Sequence, residues 1–415
     1  MNVRTLLLAA GCVVVSGAGH QAAAQDIKIT DYDVPVSRSH ELYVTGDLIR
    51  EDVEYSRDYD YYDESYGDIY ESYGLRGTWQ YYYNSPFYAW SISAGSRLAF
   101  SDNHRQKAKF RETAGASGVI RRYTDGRGLF FVAAGFSSYW SHSYFRPIVD
   151  ANASIGLGRV VEATILARAI RIDEFLIKER IIQQHLSKET LLALAAIINR
   201  EREYKMRYGD TYTVWWYSDM DRLIADAAAL PGGSIGPIGL LRIREVLNQE
   251  QVQRRAYGWT IETGISAAVA RPYTSDLDDP DVLFVGFYSL PIGLKQQCMV
   301  EVRADTKTGK TFADYYHFEA SLKYIYELSN RIDLVLDETI LKDRESSLVC
   351  CWQSRQRGGY LNRIAFTARY YFENAIALKL GGDLAHSLSW YNDPNYRVFR
   401  SRDWRIAMSV AYHVF

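Results

Sequence analysis

The chain has 415 residues, of which 14% are aromatic, including 33 Tyr and 9 Trp, and its formal net charge is −2. This charge balance provides no bulk attraction for nucleic acid, so the sequence predicts no nucleic-acid partner. Beyond the N-terminal region, no segment has the roughly 18 consecutive apolar residues of a membrane-spanning helix. An aromatic-rich chain can still cross a membrane as a β-barrel, in which only alternate residues face lipid.

Residues 1–24 have the pattern of a secretory signal peptide. Arg4 supplies a positive charge, residues 6–15 are apolar, and three alanines before Gln25 form a small-residue cleavage site. The alternative is a lipoprotein cleavage box at Cys12, which would leave a very short apolar segment. The signal predicts export from the cytoplasm.

Three cysteines remain after the signal: Cys298, Cys350 and Cys351. They do not make a disulfide framework. Adjacent cysteines form a disulfide only with backbone strain, so the last two are interpreted as thiols. Histidine or acidic partners at metal-ligand spacing do not stand near them, so no metal or other cofactor is expected.

Alternation of apolar and polar residues predicts six strands in residues 41–158 and about eight in residues 256–415. A polar, extended lead-in at residues 25–40 precedes them. The alternation is sharpest at residues 316–327. Many strands have ten or more alternating residues, with aromatic rings near their ends, which favours a membrane barrel over a soluble sandwich.

Residues 159–255 interrupt this pattern with helical periodicity. Four helices are predicted, at residues 163–182, 188–206, 212–229 and 239–254. Ser187 is the predicted N-cap of the second helix, and residues 230–233 break the chain before the fourth. Two apolar stripes are predicted, one of Ile165, Ala169, Ile172 and Leu176 and one of Trp216, Met220, Leu223 and Ala227.

These stripes are consistent with a small bundle that buries its apolar faces on itself. Alternatively, one face docks elsewhere, either in the barrel mouth as a plug or on a periplasmic protein. The charged run of residues 200–207 is interpreted as a solvated face.

With these features the chain resembles bacterial outer-membrane β-barrel proteins. The resemblance rests on the signal peptide, the aromatic residues at strand ends and the terminal Phe415, which is similar to the C-terminal assembly signal of that class. It implies a transmembrane barrel in the Gram-negative outer membrane, with outer-membrane lipid and the barrel-assembly machinery as partners. In that class an aromatic usually stands third from the end. Here His413 has that position and Tyr412 is adjacent, so Tyr412 and Phe415 are assigned to the signal.

The length of each connection predicts its side of the membrane, because periplasmic turns of such barrels are short and extracellular loops are long. Tight turns are predicted at residues 84–86, 125–126, 291–293, 329–330 and 373–374. Long polar loops are predicted at residues 51–72, 272–281, 342–358 and 392–402. Six preceding strands place the helical insertion on the periplasmic side. Residues 281–305 could instead form one kinked strand, which would change the strand count.

Inward-facing positions of the predicted strands carry charges of both signs. These lumen-lining residues are Arg97, Lys109, Arg111, Arg121, Glu262, Glu301, Arg303, Glu319, Lys323, Asp333, Arg363, Arg369, Lys379, Asp383 and Arg405. One interpretation is a network of paired charges that fills the interior. The other is the wall of a water-filled channel, in which such charges set selectivity. Both need ionised groups facing inward, so the pattern leaves both open.

Residues 51–71 contain nine Asp or Glu, six Tyr and a single basic residue, Arg57. The simplest interpretation is a solvated extracellular hairpin. A second interpretation is a binding site, because carboxylates suit Ca²⁺ and aromatic faces suit sugar rings. The spacing of an EF-hand is absent, which weakens the calcium hypothesis.

No catalytic motif is found in the sequence. His142 and His386 each precede a serine, but adjacent strand residues point to opposite faces, so neither pair forms a ready dyad. His317 and Glu319 share a face and are interpreted as polar lumen lining. A phosphate loop, zinc motif or nucleophile elbow is not present, so no enzyme is expected.

The sequence therefore predicts an all-β transmembrane antiparallel barrel of about 14 strands with an inserted α-helical periplasmic domain. The predicted function is an outer-membrane channel or export conduit for a polar solute or polymer, with the insertion as plug or partner-docking module. The alternative is a non-conducting structural protein or adhesin that binds ligand through its acidic, Tyr-rich loop.

Overall fold

The computed structural model describes residues 27–32, 36–58, 63–103, 106–124, 126, 129–230, 232–248, 255–273, 279–311, 314–329, 331–349, 353–373, 376–393 and 396–413. The proposed signal peptide, Phe415 and the Cys350–Cys351 pair lie outside these ranges. The chain divides into two compact units. The barrel unit consists of Tyr32–Arg168 and Arg244–Phe415, and the helical unit consists of Met1–Asp31 and Ala169–Ile243.

Fourteen antiparallel strands form a closed barrel in which each strand pairs with its sequence neighbours and β1 pairs with β14. Six strands precede the insertion: β1 (Ser37–Asp58), β2 (Asp63–Asn84), β3 (Tyr88–Asn103), β4 (Gln106–Tyr123), β5 (Phe130–Ser141) and β6 (Ile148–Glu162). Eight follow it: β7 (Ala256–Ala270), β8 (Asp281–Ile292), β9 (Gln296–Lys307), β10 (Tyr315–Ser329), β11 (Ile332–Val349), β12 (Gln353–Glu373), β13 (Ile376–Asp393) and β14 (Tyr396–His413). The predicted count of fourteen is confirmed, and β8 and β9 form a hairpin rather than one kinked strand.

The two faces of the barrel wall differ in chemistry. Large apolar side chains stand exposed at alternate positions on the outside, among them Leu384 at 68%, Ile406 at 59% and Val269 at 56% exposure. Their sequence neighbours face the interior. Water would solvate this apolar belt poorly, at a cost of about 25 cal/mol per Å². Lipid solvates it well, and closure of the barrel leaves no unpaired strand edge in the membrane.

The predicted tight turns all lie at one end of the barrel. That end also holds the start of β1, the end of β14 and the connections of the helical insertion, because Glu162 and Ala256 are register partners where β6 ends and β7 begins. We call it the turn end. The opposite end, which holds the β1–β2, β11–β12 and β13–β14 connections, is called the hairpin end.

Three of the four predicted long loops are instead continuations of the strands. Residues 51–72 belong largely to β1 and β2, residues 342–358 to β11 and β12, and residues 392–402 to β13 and β14, all in register. The fourth prediction, at residues 272–281, falls between the end of β7 and the start of β8, and residues 274–278 lie outside the described ranges. A strand that extends beyond lipid can be polar on both faces, so its sequence is indistinguishable from that of a loop.

Two segment boundaries also differ from the prediction. β1 begins at Ser37, inside the predicted lead-in of residues 25–40, and β6 runs to Glu162, four residues into the predicted insertion at residues 159–255. Backbone pairing extends these strands where the side chains no longer alternate, as in the Glu162–Ala256 pair. Hydropathy periodicity does not detect such pairing.

The insertion contains five helices: α1 (Thr164–Lys178), α2 (Lys188–Asn199), α3 (Glu201–Tyr208), α4 (Tyr212–Ala227) and α5 (Gly236–Asn248). Ser187 caps α2, because its side chain accepts a hydrogen bond from the Thr190 amide. Asp173 is fully buried and accepts hydrogen bonds from the Leu186 amide and the His185 ring. Trp216 donates from its indole nitrogen to the Ile197 carbonyl at 2.9 Å.

Two helix predictions need correction. The predicted helix at residues 188–206 is divided at Arg200, which ends α2 and begins α3. In α4 the buried side chains are Trp216, Met220, Ile224 and Ala225, whereas Leu223 is half-buried and Ala227 is exposed. The i, i+4, i+8 series therefore forms the stripe, and the predicted i+7 position lies beside it. Helix α3 buries no residue, which agrees with its interpretation as a solvated face.

Within the described residues, no helix is both long and apolar enough to cross a membrane.

Candidate functional site: the barrel lumen and the base of the insertion

The strand pairing places every predicted lumen residue at an inward position. Along each strand these residues alternate with the apolar residues that face outward. Arg97, Arg121 and Glu262, for example, alternate with exposed apolar residues on β3, β4 and β7. Lys109 holds the equivalent position opposite Ser101, but its side chain is outside the described set. Tyr412 is 51% exposed on the outer face, so its ring belongs to the lipid-facing belt.

Several of these charges form ion pairs inside the lumen. The Arg121 guanidinium lies 3.3 Å from Glu262, joining β4 to β7 across the interior. The Asp383 carboxylate forms ion pairs with two guanidinium groups, that of Arg363 through a short contact and that of Arg405 at 3.7 Å. This arrangement supports the first interpretation of the sequence pattern, a network of paired charges, for these residues.

Four partners in this network were not among the predicted residues. Asp305 binds Arg303 at 3.4 Å, and Asp337 lies 3.9 Å from Lys323. Asp47 lies 3.7 Å from Arg76, on the adjacent strands β1 and β2. These residues have the same inward parity as the predicted ones, so alternation could have found them.

The charges are distributed unevenly around the wall. The acidic group consists of Glu262, Glu301 and Glu319, on β7, β9 and β10. The basic group consists of Arg76, Arg97, Arg369 and Lys379, on β2, β3, β12 and β13. Since β9 is seven strands from β2 in a ring of fourteen, the two groups face each other across the lumen. Charges of opposite sign stand within both groups, with Arg303 and Lys323 beside the acidic residues and Asp47 and Asp383 beside the basic ones.

At the turn end, inward-facing residues are buried. Gln297 is fully buried, and its amide nitrogen donates to the Ala256 carbonyl at 3.0 Å and to the Ser289 hydroxyl at 2.9 Å. Its amide oxygen accepts from the Ala256 backbone at 3.3 Å. Phe131 and Val335, on β5 and β11, are 0% and 1% exposed. The polar groups of this layer are satisfied by protein rather than by water.

Arg255 ties the end of the insertion to two neighbouring connections. Its guanidinium donates to Glu327 at 2.6 Å and to the Leu294 carbonyl at 3.1 Å. Leu294 lies in the β8–β9 turn and Glu327 near the end of β10. Both ionic groups are buried, so each needs the other to offset its loss of hydration.

Arg159 makes the corresponding contacts at the start of the insertion. Its guanidinium donates to the carbonyls of Pro86 at 2.5 Å and Gly126 at 3.4 Å, in the β2–β3 and β4–β5 turns. It also lies over the Tyr123 ring, 3.9 Å from the centroid. The two arginines that bound the predicted insertion therefore hold the turns on either side of it.

The two ends of the insertion are also joined to each other. The Ala163 amide donates to the Arg255 carbonyl at 2.7 Å, and the Arg255 amide donates to the Thr164 hydroxyl at 2.8 Å. The Tyr257 hydroxyl donates to the Tyr32 carbonyl at 2.8 Å. Burial, and then the nearby Glu162 carboxylate, raise the pKa of the Tyr32 phenol. None of these contacts was predicted, because no motif marks them.

Candidate catalytic groups do not assemble in the described part of the chain. Ser387 pairs with the Ser401 hydroxyl at 2.7 Å rather than with a base, and Ser143 lies 3.2 Å from the Ser141 hydroxyl. His317 and Glu319 share the inward face of β10. The described residues also contain no group of three or more His, Cys, Asp or Glu that could hold a metal ion.

No protein-family model and no curated protein matches the chain. Solved structures with a similar fold include the translocator domain of the autotransporter NalP from Neisseria meningitidis. The two sequences are 10% identical, the match covers 99% of this chain and 95% of the NalP domain, and the TM-score is 0.26. An outer membrane channel from Pseudomonas putida F1 has 6% identity, 95% and 100% coverage, and a TM-score of 0.37. OmpT of Vibrio cholerae has 8% identity, 95% and 100% coverage, and a TM-score of 0.30.

A likeness at these identities concerns the fold. In this molecule, the closed ring of fourteen strands and the exposed apolar belt decide the class. The chain is a transmembrane β-barrel of the bacterial outer-membrane class. The predicted fold class and outer-membrane location are confirmed.

Proposed function

We propose that the chain is an outer-membrane channel or export conduit for a polar solute or polymer. The observation that carries this proposal is the charged inward face of the barrel, where acidic and basic side chains stand at inward positions around the wall. Ionised side chains that face the interior need either paired charges or water beside them, and a water-filled lumen supplies the water. No catalytic step is part of the proposal.

We propose further that the helical unit regulates this conduit from the periplasmic side, as a plug or as a docking module for a periplasmic protein. The support is that both connections of the insertion lie at the turn end, where Arg159 and Arg255 of the barrel unit bind the neighbouring turns. Gln297, Phe131 and Val335 are buried at that same end. On the strength of this burial we propose a resting state in which the turn end is closed and a change at that end opens it.

Single-channel conductance in planar bilayers tests the proposal. The intact chain is compared with a variant in which residues 164–254 are replaced by a two-residue Asn-Gly turn. The Ala163–Arg255 backbone hydrogen bond provides a natural closure point for this hairpin. We expect low or intermittent conductance from the intact chain and a larger, steady conductance from the variant. The absence of conductance in both forms would exclude a channel.

The alternative is a non-conducting adhesin whose acidic, Tyr-rich segment at residues 51–71 binds ligand. Burial at the turn end favours it, because a permanently filled barrel conducts nothing. Residues 59–62 of this segment lie outside the described structure, and for residues 51–70 only the backbone of the β1–β2 hairpin is described. Deletion of residues 51–71 would remove cation-dependent surface binding if this alternative were correct, and would leave it unchanged in a channel.

A further inference from the structure

Two pairs of cations stand directly opposite each other across neighbouring strands on the lumen face. Arg76 pairs with Arg97 in the β2–β3 ladder, and Arg369 pairs with Lys379 in the β12–β13 ladder. Like charges in directly opposed positions destabilise an antiparallel sheet. A barrel that has this arrangement twice gains stability when an anion lies between the charges.

The two pairs lie on the same part of the wall. Lys379 is the register partner of Ser409 on β14, Ser409 is the partner of Asp47 on β1, and Asp47 is the partner of Gly74 on β2. Three strand spacings separate β13 from β2, or about 14 Å along the wall. Long basic side chains from both sides therefore border one patch, with Asp47 and Ser409 between them.

Two of the four cations have no ion-pair or hydrogen-bond partner among the described residues. Arg76 is paired with Asp47 at 3.7 Å, and the Arg369 guanidinium hydrogen-bonds the Tyr371 hydroxyl. The structure gives Arg97 and Lys379 neither an ion pair nor a side-chain hydrogen bond with another described residue, and Arg97 Nε is buried without an acceptor.

The charged groups around these two residues are mostly cations. Arg97 interacts electrostatically with Arg76, Asp47 and Arg405. Lys379 interacts with Arg369, Asp47, Arg76 and Lys323. Asp47 is the one carboxylate common to both sets, and Arg76 already occupies it. The potential at this patch is therefore positive.

Gly74 lies beside Arg97 on the inward face of the wall. A Cβ atom at Gly74 would lie 3.6 Å from Arg97 Nε, an ordinary van der Waals contact, and 3.1 Å from the Leu98 carbonyl oxygen, which is tighter than most such contacts. The glycine therefore allows β2 and β3 to approach closely at the edge of the patch.

We propose that Arg97 and Lys379, with Arg76 and Arg369, form an anion-binding site on the lumen wall, and that the conduit carries anionic solutes bearing phosphate or carboxylate groups. The inference deepens the proposed function and rests on it for the transport step. Guanidinium groups bind both oxyanions through paired hydrogen bonds, and a lysine adds a point charge. Asp47 holds Arg76 in position through their 3.7 Å contact.

The test compares the full-length chain with Arg97→Gln/Lys379→Gln. The control, Arg303→Gln/Lys323→Gln, removes two inward cations that are already paired with Asp305 and Asp337. The reversal potential in a KCl gradient gives the ratio of chloride to potassium permeability. We expect anion selectivity in the wild type, a fall of about threefold or more in the first variant, and a smaller change in the control.

Equilibrium binding provides a measurement that does not need an open pore. Calorimetry with inorganic pyrophosphate and with succinate should detect binding to the wild type and the control, and weak or no binding to Arg97→Gln/Lys379→Gln. The relative affinities distinguish phosphate from carboxylate solutes. The melting temperature in low salt should not fall in this variant, since the substitutions relieve like-charge repulsion.

The two proposals fail in different ways. Conductance with equal selectivity in all three proteins would overturn the anion site and leave the channel intact. An absence of conductance together with pyrophosphate binding that the first variant abolishes would overturn the channel and retain the site. Equal pyrophosphate binding by all three proteins, or none by the wild type, would overturn the site.

Discussion

Arg255 and Glu327 form an ion pair with a nitrogen–oxygen distance of 2.6 Å, in which 0% and 2% of the respective side chains are exposed. Arg255 immediately precedes β7, and Glu327 lies near the end of β10. The same guanidinium binds the Leu294 carbonyl in the β8–β9 turn. The pair therefore fixes the end of the insertion to two connections of the barrel at once.

Removal of one member of this pair is expected to be strongly destabilising. Arg255→Met leaves the Glu327 carboxylate buried without a counter-charge, which should lower the free energy of unfolding by about 3–5 kcal/mol. The double variant Arg255→Met/Glu327→Met should recover much of the loss, because neither charge is then buried alone. Urea unfolding in lipid vesicles measures both. Equal stability of Arg255→Met and wild type would contradict the role given to this pair.

Arg159 should stabilise the opposite side of the turn end. Arg159→Met removes its hydrogen bonds to Pro86 and Gly126 and its contact with the Tyr123 ring. The expected loss is about 2–3 kcal/mol. Amide hydrogen exchange should become faster in the β2–β3 and β4–β5 turns and stay unchanged in the β8–β9 turn. Arg122→Met, which alters a neighbouring arginine on the outer face, is the control, and faster exchange in both variants would refute the assignment.

The N-terminal segment of the helical unit should detach at acidic pH. Hydrogen bonding by the Lys28 amide, and then by Lys188, lowers the pKa of Asp31 from its ordinary value of 3.8. A carboxyl group with a depressed pKa contributes stability above its unfolded value, and that contribution is lost as the pH falls below 3.8 through the folded pKa.

Limited proteolysis of the full chain at decreasing pH, with a protease active in acid that cuts within residues 28–32, measures this release. Asp31→Asn should show the low-pH behaviour at neutral pH, since it loses the 3.0 Å contact with Lys188. Lys188→Gln should act in the same direction with a smaller effect, because the amide hydrogen bond remains. A wild-type cleavage rate that does not change as the pH falls would contradict the prediction.

Alanine substitutions in α4 distinguish the predicted apolar stripe, which contains Leu223, from the observed one, which contains Ile224. Ile224→Ala removes a fully buried side chain and should cost about 2–5 kcal/mol in the helical unit. Leu223→Ala removes a half-buried one and should cost clearly less. Hydrogen exchange of the α4 amides compares the two variants. A larger loss of stability in Leu223→Ala than in Ile224→Ala would support the stripe predicted from the sequence and contradict the observed packing.

The barrel was largely predictable because its physics is periodic. Lipid outside and polar groups inside impose alternation on each strand, so residues such as Arg363 and Lys379 could be assigned a face from the sequence alone. The same logic predicted six strands before the insertion and eight after it, and the tight turns at one end. The pairing of register partners such as Arg76 and Arg97 could not be read, because it depends on the conformation of the β2–β3 turn, which the pattern of alternation does not specify.

The alternation of apolar and polar residues did not predict the strand segments that extend beyond the membrane, because there both faces of the sheet can be polar. The described residues of the predicted loops at residues 342–358 and 392–402 belong to strands whose backbone pairs without apolar alternation. The contacts of Arg159 and Arg255 were also unpredictable. Each joins the insertion to carbonyls tens of residues away, such as Pro86 and Leu294, and no local motif encodes such a contact.

The central claim is that solute passes through the charged lumen, and cysteine accessibility at the barrel wall tests it most directly. Ser409 faces the lumen and Val410 faces lipid on β14. In a cysteine-free background, Ser409→Cys and Val410→Cys are each treated with a charged, membrane-impermeant thiol reagent during single-channel recording of the conducting form. Modification at position 409 should reduce the current, and treatment of the position 410 variant should leave it unchanged. Equal current before and after modification of Ser409→Cys would contradict passage through the lumen.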